Sequence, residues 1–539
     1  EYCKSVVLSV EDELGVRTIM EDLLSVITHN TEAPICTAAV LILNTFCANT
    51  DVDVSEYLPQ LFRGLIGLLA RKDEKLLLAA WNCLDAITKK IDVSRTEEHI
   101  VSVRQALKFT LLDFKGKELP GFSVPKKGIA PILPIFREGL LNGTAEVKET
   151  AALGLGEVIS VTGAEALKPS VVNITGPLIR ILGDRFAWTL KVAVLDTLSM
   201  LLVKVGIMLK PFLPQLQTTF VKAINDPNRT VRLKAASALG KLILIHPRVD
   251  PLFNELINGF KSTEDVSIKD TFVQAIRACL EGAGSKMVDA GRRQLTQTLV
   301  AMLASPEDST RMTAAGCLGT LCASLSDAEL ADLMIQHLLD TDPSQDWTLR
   351  HGHSMALSVA LKDAPDRVWT HSLEKSVEST ITKLVVADRI PICLSGLRSV
   401  GHLLKCLLEK DSTQKIVTDL EILLIKSMKS DSNDVKILVA QIVSFLSDSQ
   451  PGRITGDVQL VPALVMGTKE KNSMVRSCCE TALVSLLKLR SAEDMYQNIL
   501  SSLDVGMQDS LKEVVSRSLR KMAAQPESPV EEIDDTILR

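Results

Sequence analysis

The sequence predicts an all-α solenoid, a superhelical stack of helix pairs with a period of about 40 residues. Three observations predict it. A stripe of Leu, Val and Ala returns at that spacing along most of the chain. Aromatic residues make up only 4% of the sequence. Turn residues, often Asp, Asn, Gly or Pro, fall between the stripes. Small and aliphatic side chains favour closely layered helices, and the scarcity of aromatics argues against a sheet-rich protein.

The clearest unit runs from Pro211 to Ile245. It opens with an amphipathic segment carrying Pro214 in its first turn, breaks at Asp226-Pro227-Asn228, and resumes with apolar or small residues at Val231, Ala235, Ala238, Leu239 and Leu242. That stripe is the buried face of a second helix. Neither helix can cover its stripe alone, so a neighbouring pair must supply the other wall.

Equivalent second-helix positions are Leu155, Leu198, Leu239, Leu280, Leu318, Leu357, Val400, Val443 and Leu483, with earlier ones at Leu43 and Leu84. Gly156, Gly240, Gly319 and Gly401 follow the marker residue in several units. Pro59, Pro134, Pro214 and Pro462 recur in the first helices. Two helices per unit at this period define the HEAT or armadillo class, and the Asp226 to Arg232 spacing with Ala-Leu-Gly favours HEAT. In such units the turn Asp and the second-helix Arg are expected to tie neighbouring repeats together.

The expected organisation is HEAT repeats over 1–91, an irregular helix and linker over 92–127, further repeats over 128–276 and 277–523, and an acidic, disordered tail over 524–539. The linker reading rests on Gly116, Pro120, Gly121, Pro125 and Gly128, and the tail reading on Pro526, Pro529 and five carboxylates. The chain begins at Glu1 directly in helical pattern, which suggests a fragment of a longer protein. The 11 cysteines show no paired spacing and are expected to be reduced core residues, Cys47, Cys317, Cys322 and Cys406 among them. No apolar run near 18 residues is read, so no membrane span is expected.

Catalytic and cofactor motifs are not found. Gly154-Leu-Gly156 lies within a helical pattern and suits close helix approach better than a dinucleotide. Gly282-Ala-Gly284-Ser-Lys286 reads as an interhelical turn. Asp346, Trp347, His351, His353 and His371 form the most polar cluster, but two histidines at i and i+2 of a helix diverge too far to share a metal ion. The expectation is no catalytic residue, no metal, no cofactor and no small-molecule substrate.

Surface charge is more informative. Residues 128–250 contain 14 Lys and Arg against 9 Asp and Glu, a net of +5; the whole chain has 60 against 66, so the remainder is net −11. A basic island in an acidic chain implies a partner with an acidic face. Arg137, Arg180, Arg185, Lys191, Arg229 and Lys234 are the candidate protein-binding residues. Phe186 and Trp188 follow Arg185 closely, and arginine beside aromatics is a hot-spot composition.

Three runs carry a resemblance to a known family: 146–163 (EVKETAALGLGEVISVTG), 174–198 (ITGPLIRILGDRFAWTLKVAVLDTL) and 226–242 (DPNRTVRLKAASALGKL). They resemble the carboxy-terminal region of the very large HEAT-repeat translational activators called general control non-derepressible one, and the likeness extends over the whole chain. The resemblance implies a cytoplasmic, ribosome-associated scaffold. It implies association with stalled or collided ribosomes through the longer parent protein, and activation of the amino-acid-starvation kinase of initiation factor two alpha. It further implies that the kinase's RWD domain, in competition with other RWD proteins, docks over roughly 128–276. Other readings of the residues alone are a nuclear-transport receptor, a phosphatase-type scaffold subunit, a general HEAT scaffold, or a module touching ribosomal RNA.

Overall fold

The computed structural model describes residues 5, 7–10, 12–50, 53–183, 185–342, 344–410, 414–449, 457–488, 505–510 and 512–513. Among them there is no strand. The expected acidic tail lies outside the described residues.

The chain forms two compact units, residues 1–283 and 284–539. The first contains α1 (Glu13–His29) with α2 (Ala33–Asn49), α3 (Leu58–Leu68) with α4 (Glu74–Thr88), and α5 (Thr96–Asp113). It continues with α6 (Leu133–Asn142) and α7 (Ala145–Ser160), α8 (Val171–Gly183) and α9 (Trp188–Val205), α10 (Leu213–Ala223) and α11 (Arg229–Ile245), and α12 (Asp250–Ser262) and α13 (Val266–Ala283). The second contains α14 (Asp289–Met302) and α15 (Asp308–Cys322), α16 (Asp327–Leu333) and α17 (Trp347–Asp363), and α18 (Glu374–Val385) and α19 (Ile390–Glu409). It closes with α20 (Gln414–Ser427) and α21 (Asn433–Ser449), and α22 (Asp457–Gly467) and α23 (Ser473–Lys488). This is an all-α HEAT-type solenoid.

Local chemistry sets these boundaries. Pro59, Pro134 and Pro214 sit in the first turns of α3, α6 and α10, where a missing N–H is not needed. Asp73, Thr144 and Asn228 cap α4, α7 and α11, each side chain accepting from backbone N–H groups of the first turn. All eleven predicted second-helix markers, from Leu43 to Leu483, are buried.

Within each unit the second helices form a continuous inner layer: α7, α9, α11 and α13 pack in series, as do α15, α17, α19, α21 and α23. The predicted glycines let them approach. A Cβ on Gly240 would stand 2.8 Å from both the Cβ and the carbonyl oxygen of Ala278, and one on Gly319 would stand 2.5 Å from Val359. Gly156 serves the same purpose against Met200 of α9, while Gly154 lets α7 approach Phe136 of α6 and Arg104 of α5.

Residues 114–132 contain no long helix, as Gly116, Pro120, Gly121 and Gly128 dictate, yet the segment is packed. Leu119, Phe122, Ile129 and Ile132 are fully buried. Gly121 N–H donates to Leu69 O and Leu119 N–H to Val161 O, joining α3 to the far end of α7. The Trp81 indole N–H donates to Gly128 O at 2.9 Å. Gly128 has φ +48°, and a Cβ there would strike Ala166 O.

One sequence expectation needs correction. Two stretches, 188–223 and 390–409, are long and apolar enough to cross a membrane by composition, but 56% and 72% of their most apolar windows are buried within the protein. Their hydropathy is that of core helices. The ten described cysteines are free thiols, and nine of them are buried. Burial pushes the Cys47 and Cys322 thiols up to about 12.

Candidate protein-docking site

The fourth residue of most second helices is a cation, and Arg232, Arg311 and Arg476 each close the turn before their own helix. Arg232 is 5% exposed; its guanidinium donates to the carbonyls of Asp226 and Pro227, both at 3.0 Å, and reaches Thr271 and Ser267 of the next pair. Arg311 binds Ser305 O and Pro306 O, and Arg476 binds Glu470 O and Lys471 O. Lys191 and Lys436 at this position reach forward instead. Lys191 Nζ lies 2.7 Å from Asp226 Oδ2, and Lys436 pairs with Glu470. Thus Arg232 meets Asp226 through its carbonyl, while the Asp226 carboxylate belongs to Lys191 of the preceding pair. The expected inter-repeat tie exists, with the partners redistributed.

This ladder separates the candidate cations of the first unit into two groups. Lys191 is half-buried in its ion pair, and Lys234 pairs with Asp196 at 2.8 Å between α9 and α11. Arg137, Arg180, Arg185 and Arg229 are exposed and have no carboxylate partner among the described residues. Arg137 lies on α6 and Arg180 on the last turn of α8, two first helices that touch. Arg185 follows in the α8–α9 turn, and Arg229 begins α11.

Arg180 borders a shallow groove of about 500 Å³ between α8 and α10, shared with Ile179, Pro214 and Thr218. Around the same turn Phe186 is half-buried, and Trp188 at the start of α9 is 48% exposed. Sequence reasoning passed over Lys148, the ladder cation of α7. It donates to Leu141 O and Gly143 O and stands 5.9 Å from the Phe186 ring. Burial, and then the nearby Arg180, push its ammonium below the usual lysine range. The signal for it was the fourth-position register shared with Arg232.

The polar cluster of the second unit is dispersed. His351 and His353 are buried and point to different neighbours: His351 stacks on Trp347 at 6.3 Å, and His353 lies 5.9 Å from His337. His371 is fully exposed beside Glu374. Among the described residues no group of three or more His, Cys, Asp or Glu side chains could hold a metal ion.

Fold and surface together define a HEAT-repeat scaffold, a stack whose distinctive chemistry is exposed charge on a regular frame. Residues 250–537 match the family model described as stalled ribosome sensor GCN1-like HEAT repeats, residues 1–126 match a second model of that description, and 216–246 match the general HEAT repeat. The chain belongs to the GCN1-like HEAT-repeat family.

The chain is 48% identical over 539 residues to the mouse protein named stalled ribosome sensor GCN1, covering 99% of this chain and 20% of that protein. The Saccharomyces cerevisiae protein named eIF-2-alpha kinase activator GCN1 is 30% identical over 511 residues, covering 91% of this chain and 19% of that one. The chain therefore spans about a fifth of these relatives. Their names describe sensing and activation, and the fold is of scaffold type. Among solved structures, the Kap95:Nup1 complex aligns with TM-score 0.52 at 14% identity, covering 94% of this chain and 67% of that chain. A karyopherin Kap121p complex aligns with TM-score 0.52 at 14% identity, over 95% and 54%. At such identity these two share the fold alone.

Proposed function

We propose that residues 128–276 form a docking platform for the RWD domain of the starvation-responsive kinase of initiation factor two alpha. The remaining repeats and the longer parent protein hold that platform at stalled or collided ribosomes in the cytoplasm. The observation that carries this reading is the exposed quartet Arg137, Arg180, Arg185 and Arg229, unpaired among the described residues, on the basic segment of an otherwise acidic chain. The kinase-activator and ribosome-sensor names of the relatives agree with it.

Activation by such a platform needs no chemistry on this chain. Holding the kinase beside the ribosome raises its effective concentration there. Other RWD proteins compete for the same arginines. A single folded domain seated on them would bury roughly 1,200–2,000 Å² in total. Trp188 and Phe186 supply the apolar part of that surface, and the arginines its register.

The test is a titration of the full chain with the purified RWD domain at rising salt. Affinity should fall steeply as ionic strength increases, since exposed charge pairs are screened over about 10 Å at 0.1 M. An affinity indifferent to salt would remove the arginine quartet from the interface. Failure to bind at any salt would favour the module acting by direct contact with the ribosome.

A further inference from the structure

The edge of the first unit opposite Arg180, Arg185 and Arg229 carries a second, regular set of cations. Four successive connectors, 114–132, 161–170, 206–212 and 246–249, lead there into the first helices α6, α8, α10 and α12. Each holds an exposed proline beside an exposed cation: Pro125-Lys126, Lys168-Pro169, Lys210-Pro211 and Pro247-Arg248. The cations recur at intervals of 42, 42 and 38 residues, the repeat period itself.

The connectors are neighbours. Leu119 N–H donates to Val161 O across the first two, and Lys204 at the end of α9 reaches Glu118 at 2.7 Å. A Cβ on Gly206 would stand 3.9 Å from Ile245 at the end of α11. Helix layers stack about 8–10 Å apart, so the four cations form a row of roughly 30 Å. Proline restricts each connector, and Lys126 sits at φ +64°, a conformation that residues other than glycine rarely adopt.

Across the four connectors stand seven cations and two carboxylates, a net of +5. Lys115, Lys117 and Lys127 add to the four of the row, and Glu118 and Glu165 oppose them. Glu118 is taken by Lys204. Glu165 and the part-buried Asp250 at the start of α12 are too few to neutralise the rest, and none of the four row cations has a carboxylate partner among the described residues. The row ends at the preceding connector, 89–95, where Asp92 stands among the cations and Glu97 and Glu98 follow.

Composition selects the occupant. Phe122 is buried, Phe114 and Phe212 are part-buried, and among the described residues of these connectors Ile207 is the one large apolar side chain that is exposed. A protein interface centres on apolar or aromatic anchors, and a single nucleic-acid strand stacks its bases on exposed rings. Neither is offered here. What remains is a line of point charges, mostly ammonium groups, which suits phosphates. A base-paired helix turns its backbone outward and carries phosphates more closely spaced than the row.

We propose that this edge binds the phosphate backbone of a double-helical RNA, with Lys126, Lys168, Lys210 and Arg248 each facing phosphates. That the duplex is RNA rests on the placement at ribosomes proposed above; the phosphate row does not. Lys168 and Arg180 bracket α8, whose 13 residues span about 20 Å. An RNA helix on this edge therefore leaves the arginine edge open to an RWD domain.

The test is the affinity of the full chain for a fluorescein-labelled RNA duplex of about 16 base pairs, read by anisotropy across a salt series. Lys168→Gln, Lys210→Gln and Arg248→Gln together should weaken binding at least ~10-fold at low salt with unchanged helical content. They should also lower the slope of log affinity against log salt by about 3. Lys210→Gln alone, at an exposed position, should lower it by about 1 and serves if the triple variant misfolds. Arg180→Gln, Arg185→Gln and Arg229→Gln remove the same charge from the opposite edge. At 0.1 M salt, where screening acts over about 10 Å, they should leave duplex affinity within about twofold. Unchanged duplex affinity in the row variants overturns the proposal, and so does an equal loss in the arginine variant. A single-stranded RNA, a DNA duplex of the same sequence or a deca-glutamate peptide that binds more tightly than the RNA duplex through the same three residues also overturns it. The row variant should bind the RWD domain as before, so the two readings fail separately.

Discussion

Lys191 Nζ and Asp226 Oδ2 meet at 2.7 Å across the boundary between two helix pairs, with side chains only 19% and 9% exposed. Asp226 also accepts from the Asn228 backbone N–H at 2.9 Å, so one carboxylate orders its own turn and ties it to the preceding pair. Removing the lysine leaves a largely buried carboxylate short of its counter-charge. Lys191→Ala should cost about 1–3 kcal/mol, measured by urea unfolding of the chain. Asp226→Ala in the same chain should cost less than the sum of the two single changes.

Arg232 and Arg229 lie three residues apart on α11 and should behave oppositely. Arg232 is buried and donates to two turn carbonyls and two hydroxyls of the next pair. Arg232→Ala should cost roughly 2–4 kcal/mol, and Arg232→Lys should recover little, because an ammonium lacks the planar fork. Arg229→Ala, at an exposed position, should change stability by less than about 0.5 kcal/mol. A comparable loss at both sites in thermal melts would refute this division.

Two glycines give a paired test of helix approach. Gly240→Ala drives a methyl group to within 2.8 Å of Ala278 Cβ and O and should destabilise by about 1–3 kcal/mol. Gly67 in the last turn of α3 has nothing within 4 Å of the added carbon and no proline after it, so Gly67→Ala should stabilise by roughly 0.5–1 kcal/mol. Calorimetry of both variants measures the contrast.

The second unit should weaken in mild acid. Burial first, and then His337, lower His353 to about 4, and burial lowers His402 to about 3, from an ordinary value of 6.5. The unfolded chain takes up protons that the folded one refuses, so stability rises with pH through this range. It is complete above about pH 6.5 and declines as pH falls toward 4 and then 3. His353→Phe and His402→Leu together should flatten the dependence of Tm on pH between 6.5 and 4.

The fold was legible because each repeat repeats its reasons: Leu239 and its counterparts are buried at every turn of the period, and Gly240 and Gly319 lie close against the next helix. The packing of 114–132 was not legible. Its glycines and prolines report a loop, whereas the burial of Leu119 and Phe122 depends on Leu69 and Val161, each about 40 to 50 residues away in sequence. Net charge revealed the basic island but not which cations were free. Lys191 and Lys234 look like Arg180 and Arg185 in sequence, and only the neighbouring pair shows that Asp226 and Asp196 claim them. Trp347 was visible beside two histidines, but Arg311 and Arg389 reach it from other helices, at separations no local pattern encodes.

The most direct measurement of the central claim is the affinity of the full chain for the kinase's RWD domain with and without Arg180→Ala and Arg185→Ala. Both side chains are exposed and unpaired among the described residues, so circular dichroism should show the same helical content in each protein. The docking account predicts a loss of at least ~10-fold in affinity for the double variant. Equal affinity in two equally folded proteins would contradict it and remove this patch from the interface.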